Sequence, residues 1–502
     1  MKQLLHLQKW QPKNWAQCGI IFVVWCLAYF PNLRSSPGWY GDEFVSLMEG
    51  NAILSGKFEN RALKYSFFST FTNYQPWGAI LYAGFAKVLT GGDILGARIL
   101  SVILAFFLVL LIYFEMARRG MAWGGFCAAL AILLAPQCTI HFRWVYPHFF
   151  VSIGVILIAL ILSRYKETKG EGWWLGWGCA ISALGHLLVV HVIAATLASR
   201  ILRPRSWLKI IVPPSIILML ALLMGYYSSG PKLFLDLQEL AGGYLGDSGR
   251  STPLEKVLNI YRFFSVDWFH VLLFTSFIGL ALIQQWSLLV FSFLLSFAVI
   301  QNRPELPVFY YQSMIFIPLL IYNLILSLFK CGEILSEKIK SAIPLRIAKA
   351  FCLLFPLFFV GPALQNSFAG THVPRNSFWV APRHSDLEET AKWINQNTSA
   401  KDFVVAFWDV GWLLQCRWTD PMQCAIWSYG HFPYFYNRPR DRSEFLFPAD
   451  LGQAKFILVG PLDLRWTYGQ GTIPMLLKEF GVDSWPTVYQ TETTRVLKNP
   501  KE

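Results

Sequence analysis

Two adjacent carboxylates, Asp42 and Glu43, sit in the run Trp39-Tyr40-Gly41-Asp42-Glu43-Phe44, about ten residues past the first apolar segment. A carboxylate held at a surface can take a proton from a hydroxyl, and a pair can share a divalent cation. Phe44, Leu47, Met48 and Leu54 follow at helical spacing. That spacing predicts an amphipathic helix lying on a membrane, with the acids at its N-terminus. The plainer reading is local, with Asp42 capping the helix and Glu43 favouring its dipole.

Other candidates are weaker. Trp408-Asp409-Val410-Gly411 reads first as a strand-to-turn Asp-x-Gly. The glycines of Gly242–Gly249 do not follow a strand, so a lid suits them better than a phosphate cradle. Asn397-Thr398-Ser399 has the form of a glycosylation acceptor. His186 and His191 are five apart, a poor spacing for a helical metal pair, and read as bundle histidines. No C-x-x-C spacing exists. Cys416 and Cys424 are eight apart in a neutral region, where a bridge and two buried thiols are both consistent with the sequence.

The elements that must position these residues are apolar. Of 502 residues 55% are hydrophobic and only 15% charged, where a soluble chain carries about 25%. Aromatics at 16% suit a protein with two membrane interfaces to line. Disordered, collagenous and disulfide-rich secreted classes are excluded. The net charge of +13 could suggest nucleic acid, but residues 1–366 hold 29 Lys+Arg against 16 Asp+Glu, while 367–502 hold 14 of each. The excess lies between apolar segments, where it sets membrane orientation. No nucleic-acid partner is expected.

Apolar runs fall near 17–33, 94–116, 121–138, 146–162, 210–227, 268–283, 286–300, 308–329 and 348–366. The cationic clusters Lys2/Lys9/Lys13, Arg118/Arg119, Arg164/Lys166/Lys169, Arg200–Lys209 and Lys330–Lys349 mark the cytoplasmic side. Segment 173–201 keeps both basic flanks inside only as two half-helices turning near Gly185–His186. The expected fold is therefore an all-α membrane bundle of about 11 spans, 1–366, with outer loops 34–76, 136–148 and 228–267. The N-terminus is placed in the cytoplasm as an uncleaved anchor. Trp77–Leu89 is too short to span comfortably and reads as interfacial or re-entrant. Residues 367–502 read as a small extracytoplasmic α/β domain, with a helix over Asp386–Thr398 and strands over Phe403–Phe407 and Phe456–Val459.

The acidic pair after the first span, the helix ending in AILSGKF, and the run YQPWGAILYAGFAKVLTGGDILGARILS resemble the GT-C superfamily. These polytopic membrane glycosyltransferases use polyprenyl-phosphate sugars. Within it the chain is most similar to the protein O-mannosyltransferase and lipid A aminoarabinose transferase group. Gln75-Pro76, Trp77–Leu89, Gly91/Gly92 and Arg98 match that group's pattern, and ETAKWINQNTSAKDFVVAF is similar to its outer C-terminal domains. Trp408–Gly411 faintly resembles the W-W-D-Y-G signature of oligosaccharyltransferases, lacking one Trp and the Tyr.

The resemblance implies transfer of a sugar from a polyprenyl-phosphate donor to a glycan, lipid or protein acceptor of the cell envelope, at the outer face of an inner membrane. Phosphate leaves readily, so one general base suffices; a glycosidase would need two flanking carboxyls. Asp42 takes the base role and Glu43 orients it, and the two could hold a divalent metal; no other cofactor is implied. Outer cations break the charge rule: Arg98, Arg143 with His141 and His148, and Arg303 ahead of Tyr310 and Tyr311. These seven residues are the candidates for clamping the donor phosphate through charge-assisted hydrogen bonds. Interfacial snorkelling is the plainer reading for any one of them. Relatives often carry another acid in the second outer loop, and 136–148 has none. The rival classes are a transporter or flippase of a lipid-linked substrate, or an inactive scaffold of the same fold. A transporter should show repeats and mid-helix charges, and neither is visible.

Overall fold

A computed structural model of the chain describes residues 12–37, 39, 41–56, 59–64, 76–164, 170–235, 269–302, 311–368, 384–430, 439–460 and 473–502. The described residues fall into two compact units. One is drawn from Met1–Leu33, Arg98–Met219 and Ser251–Thr371, the other from Arg34–Ala97, Leu220–Arg250 and His372–Glu502. Lys2, Lys9, Lys166, Lys169, Gly242–Gly249, Arg303 and Tyr310 lie outside the described residues.

The first unit is helical. It contains α1 (Pro12–Tyr29) and then, numbering along the chain, α4 (Ile94–Arg118), α5 (Ala122–Leu134), α6 (Pro136–His141), α7 (His148–Leu162), α8 (Glu171–Ala183) and α9 (Val189–Ser199). Next come α10 (Trp207–Ser229), α11 (Phe269–Leu282), α12 (Trp286–Asn302), a π-helical turn at Tyr311–Phe316, α13 (Ile317–Ile339), α14 (Ile343–Leu357) and α15 (Val360–Phe368). Helix α10 begins in this unit and runs on past Met219. Among the described residues four helical stretches are long and apolar enough to cross a membrane: Ile94–Arg118, Pro204–Tyr227, Met314–Ile339 and Ile343–Phe368. Five shorter apolar helices accompany them among the described residues. Helices α8 and α9 are two short helices over the segment 173–201, with the break at residues 184–188.

Close packing in this unit uses small residues, as lipid-facing helices must where water supplies no driving force between them. A Cβ on Gly154 of α7 would stand 2.2 Å from Ser182 Oγ and 2.3 Å from Gly178 O of α8. Some polar groups inside bond across helices: Ser163 Oγ to Tyr322 Oη at 2.7 Å, and Asn323 Nδ2 donating to Ser292 Oγ at 3.0 Å. At one end Glu115 gathers Arg118, Arg119 and Arg164 within 2.8–2.9 Å.

The second unit joins two distant stretches of sequence. Its N-terminal part holds α2 (Gly41–Leu54), a small hairpin of β1 (Glu59–Asn60) and β2 (Leu63–Lys64), and α3 (Pro76–Thr90). Helices α2 and α3 pack together; Gly50 is required there, since a Cβ would lie 2.1 Å from Ala79 O. The C-terminal part holds α16 (His384–Asn397), β3 (Phe403–Val405), the one-turn α17 (Trp408–Gly411), β4 (Arg417–Thr419) and α18 (Pro421–Tyr429). It ends with β5 (Phe456–Val459), α19 (Ile473–Glu479), β6 (Thr487–Gln490) and β7 (Arg495–Lys498).

The strands form one sheet in the order β4-β3-β5-β7-β6. Strands β4, β3 and β5 are parallel, and β7 and β6 add antiparallel. Strands β3 and β5 are buried along their whole length, as the uninterrupted apolar runs require. Helix α16 lies on the sheet through Trp393, which meets Phe456 and stacks on Tyr489 at 5.1 Å. Cys416 and Cys424 are free thiols. Cys416 directly precedes β4 and Cys424 is enclosed on α18, so the two are buried thiols, the second of the two readings the sequence allowed.

Candidate functional site

The acidic pair falls in the first turn of α2. Asp42 is inside the helix rather than ahead of it, so dipole stabilisation suits it better than N-capping. Its side chain, and Tyr40, are outside the described residues. The Glu43 side chain is wholly buried, and α2 carries a second buried acid, Glu49, that the spacing of apolar residues did not reveal. A negative group at this end of a helix is favoured by about 0.3–1 kcal/mol at a surface and more when enclosed.

Aromatic rings fix this end of α2. Phe44 stacks on Trp412 at 4.7 Å, and Trp39 meets both, at 5.4 and 5.8 Å. Trp412 directly follows α17, which packs on both α2 and α16. Gly411 makes that turn possible, because a Cβ would come 2.2 Å from the Trp418 ring. Asp409, on the same turn, is buried, and burial pushes its carboxyl up to about 7. A carboxyl so placed is half protonated near neutrality and can donate a hydrogen bond. Sequence reasoning passed it over as a turn residue.

The hairpin after α2 is held just as firmly. Arg61 adopts a left-handed φ of 60°. Its guanidinium pairs with Asp420 and lies 4.8 Å over the Trp408 ring. Asp420 also accepts from Trp408 Nε1 at 3.2 Å and caps α18 by accepting from Gln423 N at 3.0 Å. Ala62 N donates to Gln423 Oε1 at 3.0 Å, and Leu446 N donates to Ala62 O at 2.7 Å. Arg34 adds a bidentate contact to Asp93 and a 2.7 Å bridge to Glu388. The acids of α2 thus ride on a scaffold shared with the sheet.

The candidate phosphate ligands Arg98, His141, Arg143 and His148 are all in the helical unit, and all are buried. Arg98 lies in the second turn of α4 and donates to Leu33 O at 3.0 Å. Arg143 donates to Asn366 O at 3.4 Å and to Pro31 O. The two guanidiniums are close enough to repel one another. Asn366 in turn donates to Thr139 Oγ1 at 2.9 Å and Pro136 O at 3.0 Å, tying α15 to α6. His148 faces His186 with ring centroids 4.2 Å apart, and His186 Nδ1 accepts from Leu188 N at 3.0 Å. His141 packs on Trp144 at 4.9 Å. The segment 136–148 is thus folded into its unit, with α6 as its core. Tyr311 lies on the π-helical turn, with its side chain outside the described ones, as are Arg303 and Tyr310 altogether. Among the described residues no three His, Cys, Asp or Glu side chains converge as a metal-holding group.

Arg143 is met by carbonyls and repelled by a second cation, an arrangement that an added anion would relieve. Phosphate oxygens suit it, since guanidinium binds them bidentately.

No family model matches the chain, and no curated protein sequence matches it. Solved structures do. ArnT from Cupriavidus metallidurans bound to undecaprenyl phosphate matches with a TM-score of 0.57 at 13% identity, over 97% of this chain and 98% of that one. The oligosaccharyltransferase of Archaeoglobus fulgidus, in complex with Zn and sulfate, matches with a TM-score of 0.55 at 12% identity, over 96% of this chain and 73% of that one. The match covers nearly the whole chain, which therefore shares the fold of these two proteins.

Proposed function

We propose that this chain is an integral-membrane glycosyltransferase that moves a sugar from a polyprenyl-phosphate donor to a cell-envelope acceptor. The observation that carries this is the end-to-end correspondence, 97% of this chain and 98% of the other, with a structure that holds undecaprenyl phosphate. The buried acid at the start of α2 and the paired guanidiniums of the helical unit support it from the chemistry.

In this reading Asp42 accepts the proton of the acceptor hydroxyl, and Glu43 orients it. The hydroxyl oxygen forms its bond to the anomeric carbon as the bond from that carbon to phosphate breaks. The electron pair leaves on the polyprenyl phosphate, whose growing charge Arg98 and Arg143 stabilise. His141, His148, Arg303, Tyr310 and Tyr311 complete the proposed donor set. A single displacement of this kind inverts the anomeric centre. The acceptor is a lipid-linked glycan, lipopolysaccharide or protein. In the proposed topology eleven segments cross an inner membrane, the N-terminus is cytoplasmic, and residues 367–502 face outward. Short helices such as α9 then cross with help from neighbours or locally thinned lipid.

Incubating the purified chain with a panel of radiolabelled polyprenyl-phosphate sugars and envelope acceptors tests this directly. Label appearing in an acceptor, with polyprenyl phosphate released, is the expected result. Donor that crosses a vesicle membrane unconsumed would replace the proposal with transport.

A further inference from the structure

A cavity of about 490 Å³ opens in the helical unit, lined among others by Lys13 and Gln17 of α1, Trp123 of α5, Phe329 of α13, and Arg346 and Lys349 of α14. It lies by the α4–α5 turn, near the end of α4 where Arg118 and Arg119 sit. Those two arginines and Arg164 share Glu115, and Lys330 is bridged to Glu333 at 2.7 Å. The cavity's three cations have no carboxylate partner among the described residues. Lys349 is half-buried, its ammonium 5.8 Å over the Phe329 ring, while Trp123 Nε1 donates to Lys349 O at 3.3 Å. Three unbalanced positive charges around one concave space make a site for an anion.

The surroundings say which anion. Helix α14 exposes Ile347, Phe351 and Leu354 in one stripe alongside Arg346 and Lys349, and α1 exposes Trp15 and Ile20 near Lys13. Apolar side chains left outward on helices of this hydropathy face acyl chains. A ligand with phosphate at the cavity and two hydrocarbon tails along that stripe satisfies both surfaces, and basic pockets between membrane helices hold such headgroups. We propose that this cavity is a binding site for the headgroup of an anionic phospholipid, on the face of the bundle that carries Lys13, Arg346 and Lys349. The site is separate from the sugar-transfer chemistry, and its test reads binding alone.

The test is thermal melting of the purified full chain in neutral detergent, titrated with short-chain phosphatidylglycerol, phosphatidylcholine or inorganic phosphate. A ligand of the folded state raises the melting temperature as its concentration passes its dissociation constant. Phosphatidylglycerol should raise it and phosphatidylcholine should not. The triple variant K13Q/R346Q/K349Q should weaken the apparent affinity about tenfold or more, as lost charge-assisted contacts would. A control triple at cations outside the cavity, R205Q/K338Q/K340Q, should leave it unchanged. Ala350→Trp fills the cavity without changing charge and should weaken binding like the first triple, which keeps the test decisive if that triple folds poorly. Equal affinity in both triples would make the effect a general surface attraction and overturn the proposal. So would an equal shift from inorganic phosphate at matched concentration, or no shift from phosphatidylglycerol at all.

Discussion

Arg61 and Arg143 are both arginines with their charge out of water, one in each unit, and their settings are opposite. Arg61 has the carboxylate of Asp420 beside it and the Trp408 ring under it. Arg143 has the carbonyls of Pro31 and Asn366 and the repulsion of Arg98. A guanidinium neutralised by a carboxylate holds a structure together. One left electrically unbalanced among carbonyls is ready for an anion that arrives later. The contrast separates residues that build the site from residues that serve it, and each variant below should fall on one side.

The largest effect belongs to the acid pair. Asp42→Asn should lower the transfer rate by about 10²–10⁴, because an amide cannot take the hydroxyl proton. Expression, membrane insertion and donor binding should persist, since asparagine keeps the shape. Glu43→Gln should cost less if that residue only orients its neighbour. Single-turnover transfer assays on both variants decide the assignment; rates within a few-fold of wild type for both would remove the catalytic role.

Arg61→Met should cost stability rather than chemistry. It leaves Asp420 buried and uncompensated, a loss of about 3–5 kcal/mol. Adding Asp420→Asn to it should recover part of that loss, which a denaturation double-mutant cycle measures. If the single and double variants unfold together, the pair is not coupled and the hairpin is held by Ala62 and Leu446 alone.

Arg143→Gln should act on the donor. Loss of a charge-assisted contact weakens donor binding about ten- to a hundredfold. The melting-temperature rise that undecaprenyl phosphate gives the wild type should vanish in the variant. An undiminished rise would place Arg143 with Arg61 among the residues that only build.

The same contrast explains what the sequence made legible. Elements set by local pattern were readable: the helix carrying Asp42 and Glu43, the two half-helices over 173–201, and β5 at Phe456–Val459. The helix expected over Asp386–Thr398 begins at His384 and ends at Asn397. What stayed hidden is set by distant partners. The bond from Ala62 to Gln423 spans 361 residues, and no periodicity announces it. The facing rings of His148 and His186 were likewise invisible, since one read as a phosphate candidate of the 136–148 segment and the other as a bundle histidine. Candidate ligands were picked out because cations stood where the charge rule forbids them. That rule says nothing of which carbonyl or carboxylate each would meet, and that is the distinction between Arg61 and Arg143.

A last pair sharpens the comparison from the acidic side, where Asp409 and Asp402 are opposites within one unit. Burial pushes Asp409 up to about 7 from an ordinary 3.8, while the Ser399 backbone N–H, with Lys455 at 3.0 Å, holds Asp402 below it. For a raised carboxyl the folded state keeps a proton that the unfolded chain has released. Stability from Asp409 is therefore full below about pH 4 and is lost as pH rises through about 7. For Asp402 the sign reverses, its contribution being full above about pH 4 and lost on acidification. Asp409→Asn should accordingly gain on the wild type between about pH 4 and 7, and Asp402→Asn should show no such gain over that window. Denaturation midpoints of the two variants against pH settle it. If the Asp409→Asn difference is flat with pH, the carboxyl does not change its ionisation on folding, and the turn beside α2 is held by Trp408, Gly411 and Trp412 without it.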